Sequence, residues 1–251
     1  MPELPDVELA RRFIEERALG RRIAAVDDSD TWVSRPHAPG EIAAALTGAT
    51  LTDAHRHGKS MWIETDRGPV LGLHLGMTGG IRMDEDPDPR GWDRFALEFE
   101  DGGRMALHDM RRLGRAVLDP DLSGLGPDAG EVSRAEFRER VGRGTSPIKA
   151  RLMDQGVIAG IGNLMADEIL WRARINPLTP AGELTQEQLD ELRRAMRAVV
   201  RLTISRGHAG AGELNPHRVP GGVCPRCGTP LERARVGGRT TYWCPRDQPG
   251  P

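Results

Sequence analysis

The feature that most limits what this chain can fold into is a change of hydrophobic period across residues 119–130, DPDLSGLGPDAG. Upstream, the stretches RIAAVD, SMWIETD, PVLGLHLGM, RFALEFEDG and RMALHD alternate or run apolar between Gly, Asp and Pro. That is the pattern of short strands, so residues 22–118 predict a β-sandwich or barrel, with EIAAALTG a short helix inside it. Before them, PELPDVELARRFIEERALG predicts a helix with Pro5 in its first turn and Gly20 as its stop. Downstream the period becomes helical. SRAEFRERVGR opens with Ser133 and Glu136 in the spacing of a capping box, and Thr185 with Gln188 repeats it before Leu189, Leu192, Met196 and Val199 on one face. Between them a helix reaching about Gln155 meets the turn GVIAGIGN, and a second helix runs from Leu164 to about Arg172. Gly156, Gly160 and Gly162 could bring backbone N–H groups and that second helix start to an anion such as phosphate. A plain helical hairpin is the alternative. The fold class expected is α+β, and the Gly-, Pro- and Asp-rich stretch marks a domain boundary.

A chain of 251 residues is long enough for one large domain or two modest ones. No stretch approaches the ~18 apolar residues of a membrane span, and the N-terminus lacks the apolar run of a signal peptide. A cytoplasmic location without membrane contact is expected. The net charge is only −2, so bulk composition does not advertise nucleic acid. Its distribution is more telling: residues 1–100 carry 12 basic and 19 acidic side chains, and residues 201–251 carry 8 and 3. A polyanion-binding face must be assembled locally, with the C-terminal end the best supplied. Of 35 basic residues only Lys59 and Lys149 are lysine. Arginine cannot release a proton in a protein, so these two positions are where a compact, titratable amine is required, unless chance put them there.

The three cysteines all lie between Cys224 and Cys244, which suggests a metal site rather than a disulfide scaffold. The tail CPRCGTPLERARVGGRTTYWCPRDQ reads as two β-hairpins with C-x-x-C-like knuckles. Cys224 and Cys227 have zinc-ligand spacing, and Cys244 is followed three residues later by Asp247. A carboxylate is an acceptable fourth donor, so one Zn2+ in a Cys3Asp site is expected. His217 is a weaker candidate, and a hairpin that has lost its zinc is the alternative.

MPELPDVE puts proline behind the initiator methionine. Trimming of Met1, usual before a small residue, would leave Pro2 as a secondary amine with a pKa of roughly 7.7–8.0 before any shift. Such an amine attacks aldehyde carbons as Schiff-base lysines do. The plainer reading is that Pro2 only leads into a helix.

Four stretches, MPELPDVE, HLGM with HDMRRLGR, IKARLMDQGVIAGIGNLMADEILWRARINP, and CPRCG with GGRTTYWCP, together resemble the formamidopyrimidine-DNA glycosylase/endonuclease VIII family. The resemblance spans essentially the whole chain in the family's order. It implies an N-terminal helix plus β-sandwich catalytic domain over residues 1–120, a helix–two-turn–helix domain over 121–215 and a degenerate zinc finger over 216–251. It also implies a bifunctional DNA glycosylase/AP lyase of base excision repair, monomeric and nucleoid-associated, acting on double-stranded DNA with a damaged base or abasic site. By the same resemblance Pro2 attacks C1′, Glu3 manages the sugar oxygen, Lys59 and Arg239 contact phosphate and assist the eliminations, and Asn163 and Lys149 contact DNA near the lesion. Met77, Arg111 and Leu113 fall on the positions that wedge into the duplex.

Lys149 in SPIKARL, with PELPDVE and HLGM, resembles the formamidopyrimidine branch of the family, which implies formamidopyrimidine- and 8-oxoguanine-like purines as the favoured lesions. Three departures bear on that choice. Asp6 replaces the usual glutamate, and Trp92 stands where the family often has a DNA-contacting histidine. The segment GHAGAGELNPHRVPGG is short where other members carry a loop over the flipped base. Leu113, where 8-oxoguanine enzymes usually carry phenylalanine, bears instead on lesion search and opposite-base preference. The alternatives are an endonuclease VIII-like enzyme for oxidised pyrimidines or hydantoins, and a non-catalytic damaged-DNA-binding homologue.

Overall fold

The computed structural model describes residues 2–250, so the expected removal of Met1 falls outside it. The described chain divides into two compact units, one of Pro2 with Val7–Leu122 and one of Glu3–Asp6 with residues 123–250. The division falls within the first helix, α1 (Leu4–Arg17).

In the first unit two four-stranded antiparallel sheets share one core. One has the order β1 (Ile23–Asp27), β6 (Asp93–Phe99), β7 (Arg104–His108), β5 (Gly80–Met83). The other has the order β2 (Leu51–His57), β3 (Ser60–Thr65), β4 (Leu71–His74), β8 (Arg115–Leu118). Strand β3 shows why: Met61, Ile63 and Thr65 are buried while their neighbours are less so, the period-2 signature of a half-buried strand. Phe95, Leu97, Met105 and Leu107 of the first sheet pack in one cluster with Met61, Ile63, Leu71 and Ala116 of the second. Each large side chain so buried contributes about 1.5–3 kcal/mol. Val7 and Ile14 of α1, and Ile42 and Leu46 of α2 (Glu41–Leu46), complete that core.

The sandwich and α2 follow the sequence pattern, whereas β2, β5 and β8 do not announce themselves. LTDAHRH and GIRM are too polar to read as strands alone; pairing with β3 and β7 supplies what local pattern lacks. PVLGLHLGM is a strand only as far as His74, because Leu75–Gly79 turns back on itself through Gly79 N–H donating to Leu75 O at 2.9 Å.

The second unit contains α3 (Arg134–Val141), α4 (Ile148–Met153), α5 (Asn163–Ala173) and α6 (Gln186–Arg206), with the hairpin β9 (Glu232–Val236)–β10 (Arg239–Trp243). Leu189, Leu192, Met196 and Val199 are buried on one face of α6, and α5 has buried residues on every side. Thr185 and Gln188 form a complete capping box. Ser133 makes only half of one, accepting from Glu136 N–H at 3.2 Å, because the Glu136 carboxylate pairs with Arg140 one turn on. Helix α4 stops before Gln155, whose carboxamide instead donates to Met153 O and Ile161 O and accepts from Gly160 N–H. The tail holds one hairpin rather than two: the first knuckle has a single bridge, Val223 to Pro230, since Pro225 and Gly228 leave too few residues for a ladder.

His74 closes β4 by accepting Gly76 N–H at Nδ1 (3.0 Å), a role only an unprotonated Nδ1 can fill. Burial, then the charge of Lys59, lowers its pKa from the ordinary 6.5. The folded value lies below the unfolded one, so the unfolded chain binds the proton more readily. The stabilisation is complete above about 6.5 and declines as pH falls toward the folded value. Denaturant melts should show lower unfolding free energy at about pH 5 than at about pH 7. His74→Gln, which keeps an acceptor but cannot titrate, should flatten part of that slope.

Candidate functional site

Within the second unit, the start of α5 is organised by a carboxylate from the chain's beginning. Glu3 is 1 % exposed, and its Oε2 accepts N–H bonds from Gly162 (2.9 Å) and Met165 (3.1 Å) while Oε1 accepts from Leu164 (2.8 Å). Three N–H dipoles at a helix N-terminus stabilise one negative charge. A Cβ at Gly162 would overlap the Glu3 carboxylate, which is why that position is glycine. The turn expected to receive a phosphate is therefore already engaged: Gly160 N–H goes to Gln155 and Gly156 N–H to Asp154 Oδ1 at 2.9 Å. An internal carboxylate wins because the fold has already ordered it. Asp6 holds the backbone beneath Glu3, accepting Glu3 N–H at Oδ2 (2.7 Å) and Ala209 N–H at Oδ1 (3.2 Å).

Asn163, the first residue of α5, is half-buried, and behind it lies a buried charge cluster. Lys149 is wholly buried. Its Nζ reaches Asp167 Oδ1 (2.6 Å), Asn163 Oδ1 (2.7 Å) and Thr241 Oγ1 (2.7 Å). Arg218 Nε donates to Asp167 Oδ2 (2.8 Å), and Tyr242 N–H reaches the same oxygen (3.2 Å). Burial lowers the Lys149 pKa below the ordinary lysine value against the opposing pull of Asp167. The ammonium expected to meet DNA is thus directed inward. Asp167 and Arg218 were not singled out by the sequence. The signal was an acidic residue on a helix with no solvent-facing side, which must be paired. Arg239 stands exposed at the start of β10, whose Thr240, Thr241 and Tyr242 this cluster grips.

The segment after α6 is clamped by a second buried carboxylate. Glu168 accepts Glu213 N–H (3.0 Å), Leu214 N–H (2.8 Å) and Arg172 Nε (2.8 Å).

Within the first unit, Lys59 follows Gly58 at the tip of the β2–β3 hairpin, and both sit between the paired residues His57 and Ser60. Met77, Arg111 and Leu113 are exposed on two turns held together by Asp109, a residue whose role the sequence pattern does not reveal. Wholly buried, Asp109 accepts from Thr78 Oγ1 (2.8 Å) and from the N–H groups of Arg111 (3.0 Å), Leu113 (2.6 Å) and Gly114 (2.7 Å). Gly76 lets the turns approach: a Cβ there would lie 2.6 Å from Leu113 O. Trp92 is packed, with the Arg90 guanidinium 3.7 Å over its ring and His108 at its edge.

The donor atoms of Cys224, Cys227, Cys244 and Asp247 all lie within 4.8 Å of one another. Cys227 Sγ is 3.5 Å from Cys244 Sγ, and Cys224 Sγ is 3.8 Å from Asp247 Oδ2, spacings that suit four donors about 2.0–2.3 Å from one tetrahedral zinc. Trp171 Nε1 (3.4 Å) donates to the Cys224 sulfur and Asp247 N–H (3.4 Å) to that of Cys244, and Arg226 pairs with Asp247 at 3.1 Å. The residues fit a single zinc ion, and His217 is not among them. Purified protein should carry one zinc per chain by elemental analysis. Asp247→Cys should lose zinc to a chelator more slowly, and Cys244→Ser should lose it about tenfold or more faster.

Three family models match in succession: the formamidopyrimidine-DNA glycosylase N-terminal domain over residues 1–116, the formamidopyrimidine-DNA glycosylase H2TH domain over 124–213, and the zinc finger found in FPG and IleRS over 221–250. The formamidopyrimidine-DNA glycosylase of a Nocardioides species is 36% identical, with 100% of this chain and 95% of the relative covered. That of Chloroflexus aurantiacus is 35% identical, covering 99% and 98%. Among solved structures, Lactococcus lactis Fpg bound to DNA containing an oxidised pyrimidine superposes with a TM-score of 0.89 at 29% identity, covering 99% of this chain and 100% of that one. The same protein with Fapy-dG DNA gives 0.88 at 28%, with the same coverage. With three matched models in order and full-length relatives above 30% identity, this chain belongs to the formamidopyrimidine-DNA glycosylase family.

Proposed function

We propose that Pro2 and Glu3 are the reacting pair of a bifunctional DNA glycosylase of base excision repair, acting on double-stranded DNA. The observation that carries the assignment is the Glu3 carboxylate, fixed by three backbone N–H groups at α5 and joined by one peptide bond to the proline whose nitrogen would attack. The Pro2 nitrogen bonds to C1′ as the glycosidic bond breaks, and the base leaves with that electron pair and a proton. Opening of the sugar moves the C1′–O4′ electrons to O4′, where Glu3 delivers the proton its carboxylate took from the Pro2 nitrogen as that nitrogen bonded to C1′, and an iminium remains. The iminium acidifies C2′–H, so loss of that proton expels the 3′ phosphate, and a second elimination expels the 5′ phosphate. Lys59 and Arg239 are the phosphate and proton-transfer groups of these steps, and Met77, Arg111 and Leu113 fill the space left by the extruded nucleotide, which costs a few kcal/mol to unstack. Asn163 holds the lesion's backbone. Lys149 acts through it: by engaging Oδ1 it leaves the Asn163 Nδ2 hydrogens to face phosphate oxygens. The catalytic, helix–two-turn–helix and finger roles fall to residues 1–120, 121–215 and 216–251. Among the described residues no helix is long and apolar enough to cross a membrane; the reading is of a monomer working on chromosomal DNA, nucleoid-associated in the cytoplasm.

Borohydride should trap a covalent adduct between the trimmed protein and an abasic-site duplex. Pro2→Ala should lower the yield at least ~100-fold, a loss of about 2.7 kcal/mol in barrier terms. An undiminished adduct in that variant, or turnover by protein that retains Met1, would show that the nucleophile lies elsewhere; no adduct with trimmed wild-type protein would make the chain a binder rather than an enzyme.

The lesion is read from the segment 207–222. Its clamping by Glu168 and Asp6 supports a pocket left open above the flipped base, suited first to formamidopyrimidine purines and next to hydantoins or oxidised pyrimidines. Excision from Fapy-guanine should exceed that from 8-oxoguanine by about tenfold under single-turnover conditions, a difference near ~1.4 kcal/mol in barrier. A preference for 8-oxoguanine would reverse this reading.

A further inference from the structure

The first unit carries an exposed tryptophan that none of the roles above uses. Trp32 is 52% exposed, the one tryptophan among the exposed large apolar side chains of the described residues. The Arg35 guanidinium lies 3.8 Å over its ring, and Arg35 Nη1 donates to Trp32 O at 2.6 Å. One face of the indole is therefore backed by a cation, and the ring is held on its turn rather than left to rotate.

That turn is strutted to the loop bearing Arg111 and Leu113. Asp30 Oδ1 accepts Trp32 N–H (3.1 Å) and also Arg112 Nη2 (2.7 Å). Arg94 donates to Asp109 O at 2.9 Å and lies 3.7 Å from Asp30. Val33 O accepts from Ala116 N–H in β8 at 3.2 Å. Of the exposed large apolar side chains among the unit's described residues, Trp32, Met77, Met110 and Leu113 belong to this linked set of turns, and only Phe13 lies apart on α1. The chemistry around them is one-sided. The carboxylates serve as struts, Asp109 buried and Asp30 largely covered with its side chain 11% exposed, while Arg111 and Arg112 are exposed and Arg35 is half-exposed. A surface of flat or flexible apolar groups among cations, with its acids turned inward, matches a polyanion whose bases offer faces for stacking.

We infer that Trp32 and Arg35 form an additional DNA contact continuous with the wedge loop, the indole stacking on a nucleobase and Arg35 meeting a neighbouring phosphate. The inference rests on the functional reading above. It assigns part of the grip to a residue outside the wedge positions, where Leu113 offers less stacking surface than an aromatic ring.

The test is a fluorescence and affinity titration with a duplex holding a tetrahydrofuran abasic analogue. Wild-type emission should be quenched on binding, and Trp32→Phe, which keeps a ring and the fold, should lose at least half of that quench. Trp32→Ala should raise Kd about 5- to 160-fold, the range for one base–aromatic stack. Arg35→Ala should reduce the slope of log K against log salt by about one. A Trp32→Phe response equal to wild type, with unchanged affinity in Trp32→Ala, would overturn the inference and leave Trp32 as a surface for a protein partner. Wild-type protein that fails to bind the duplex at all would instead bring down the functional reading.

Discussion

The engagement of the Glu3 carboxylate with the first amides of α5 is the contact on which the start of that helix, and the turn before it, depend. A helix start leaves its leading N–H groups without partners, and here a side chain from the opposite end of the sequence supplies the acceptor. Hydrogen bonds to a charged group contribute about 1.5–3 kcal/mol each, so this arrangement is both a structural tie and a means of holding an acid in one orientation. Leu4 N–H donating to Gly160 O at 3.1 Å adds a backbone bond beside it. The Glu3 side chain is thereby as rigid as a helix cap.

Buried carboxylates recur as the organising device. Glu3 orders the α5 start, Glu168 the segment after α6, Asp109 the two turns that bear Met77 and Leu113, and Asp167 the root of β10. Each collects several N–H or cationic donors, so removing it would leave several groups unsatisfied at once. In a chain whose cations are nearly all arginine, this inward placement of acids leaves guanidinium groups on the surface, where an anionic polymer can meet them.

Much of this was legible in the sequence. Alternation in SMWIETD and RFALEFEDG marks strands because one face of each is buried, and the Thr185–Gln188 spacing marks a helix start because it satisfies two backbone groups locally. The zinc donors were visible because metal ligation imposes spacing. What stayed hidden depends on partners distant in sequence. LTDAHRH is a strand because β3 is beside it. Gly162 reads as a phosphate-binding glycine until Glu3, 159 positions earlier, is found in the phosphate's place. Lys149 was marked by its rarity, but rarity says nothing of direction, and only the position of Asp167 shows that its charge points inward.

The close approach at Gly76 carries a mechanical meaning. Because only a hydrogen fits between that residue and the Leu113 carbonyl, and because Asp109 binds both turns, Met77 and Leu113 have no independent hinge. They advance or withdraw as a single prong, whose stiffness comes from the backbone beneath it. In the wedge role proposed for them, how hard they press on a stacked base pair is a matter of that shared footing, and a bulkier tip on a looser footing would press less.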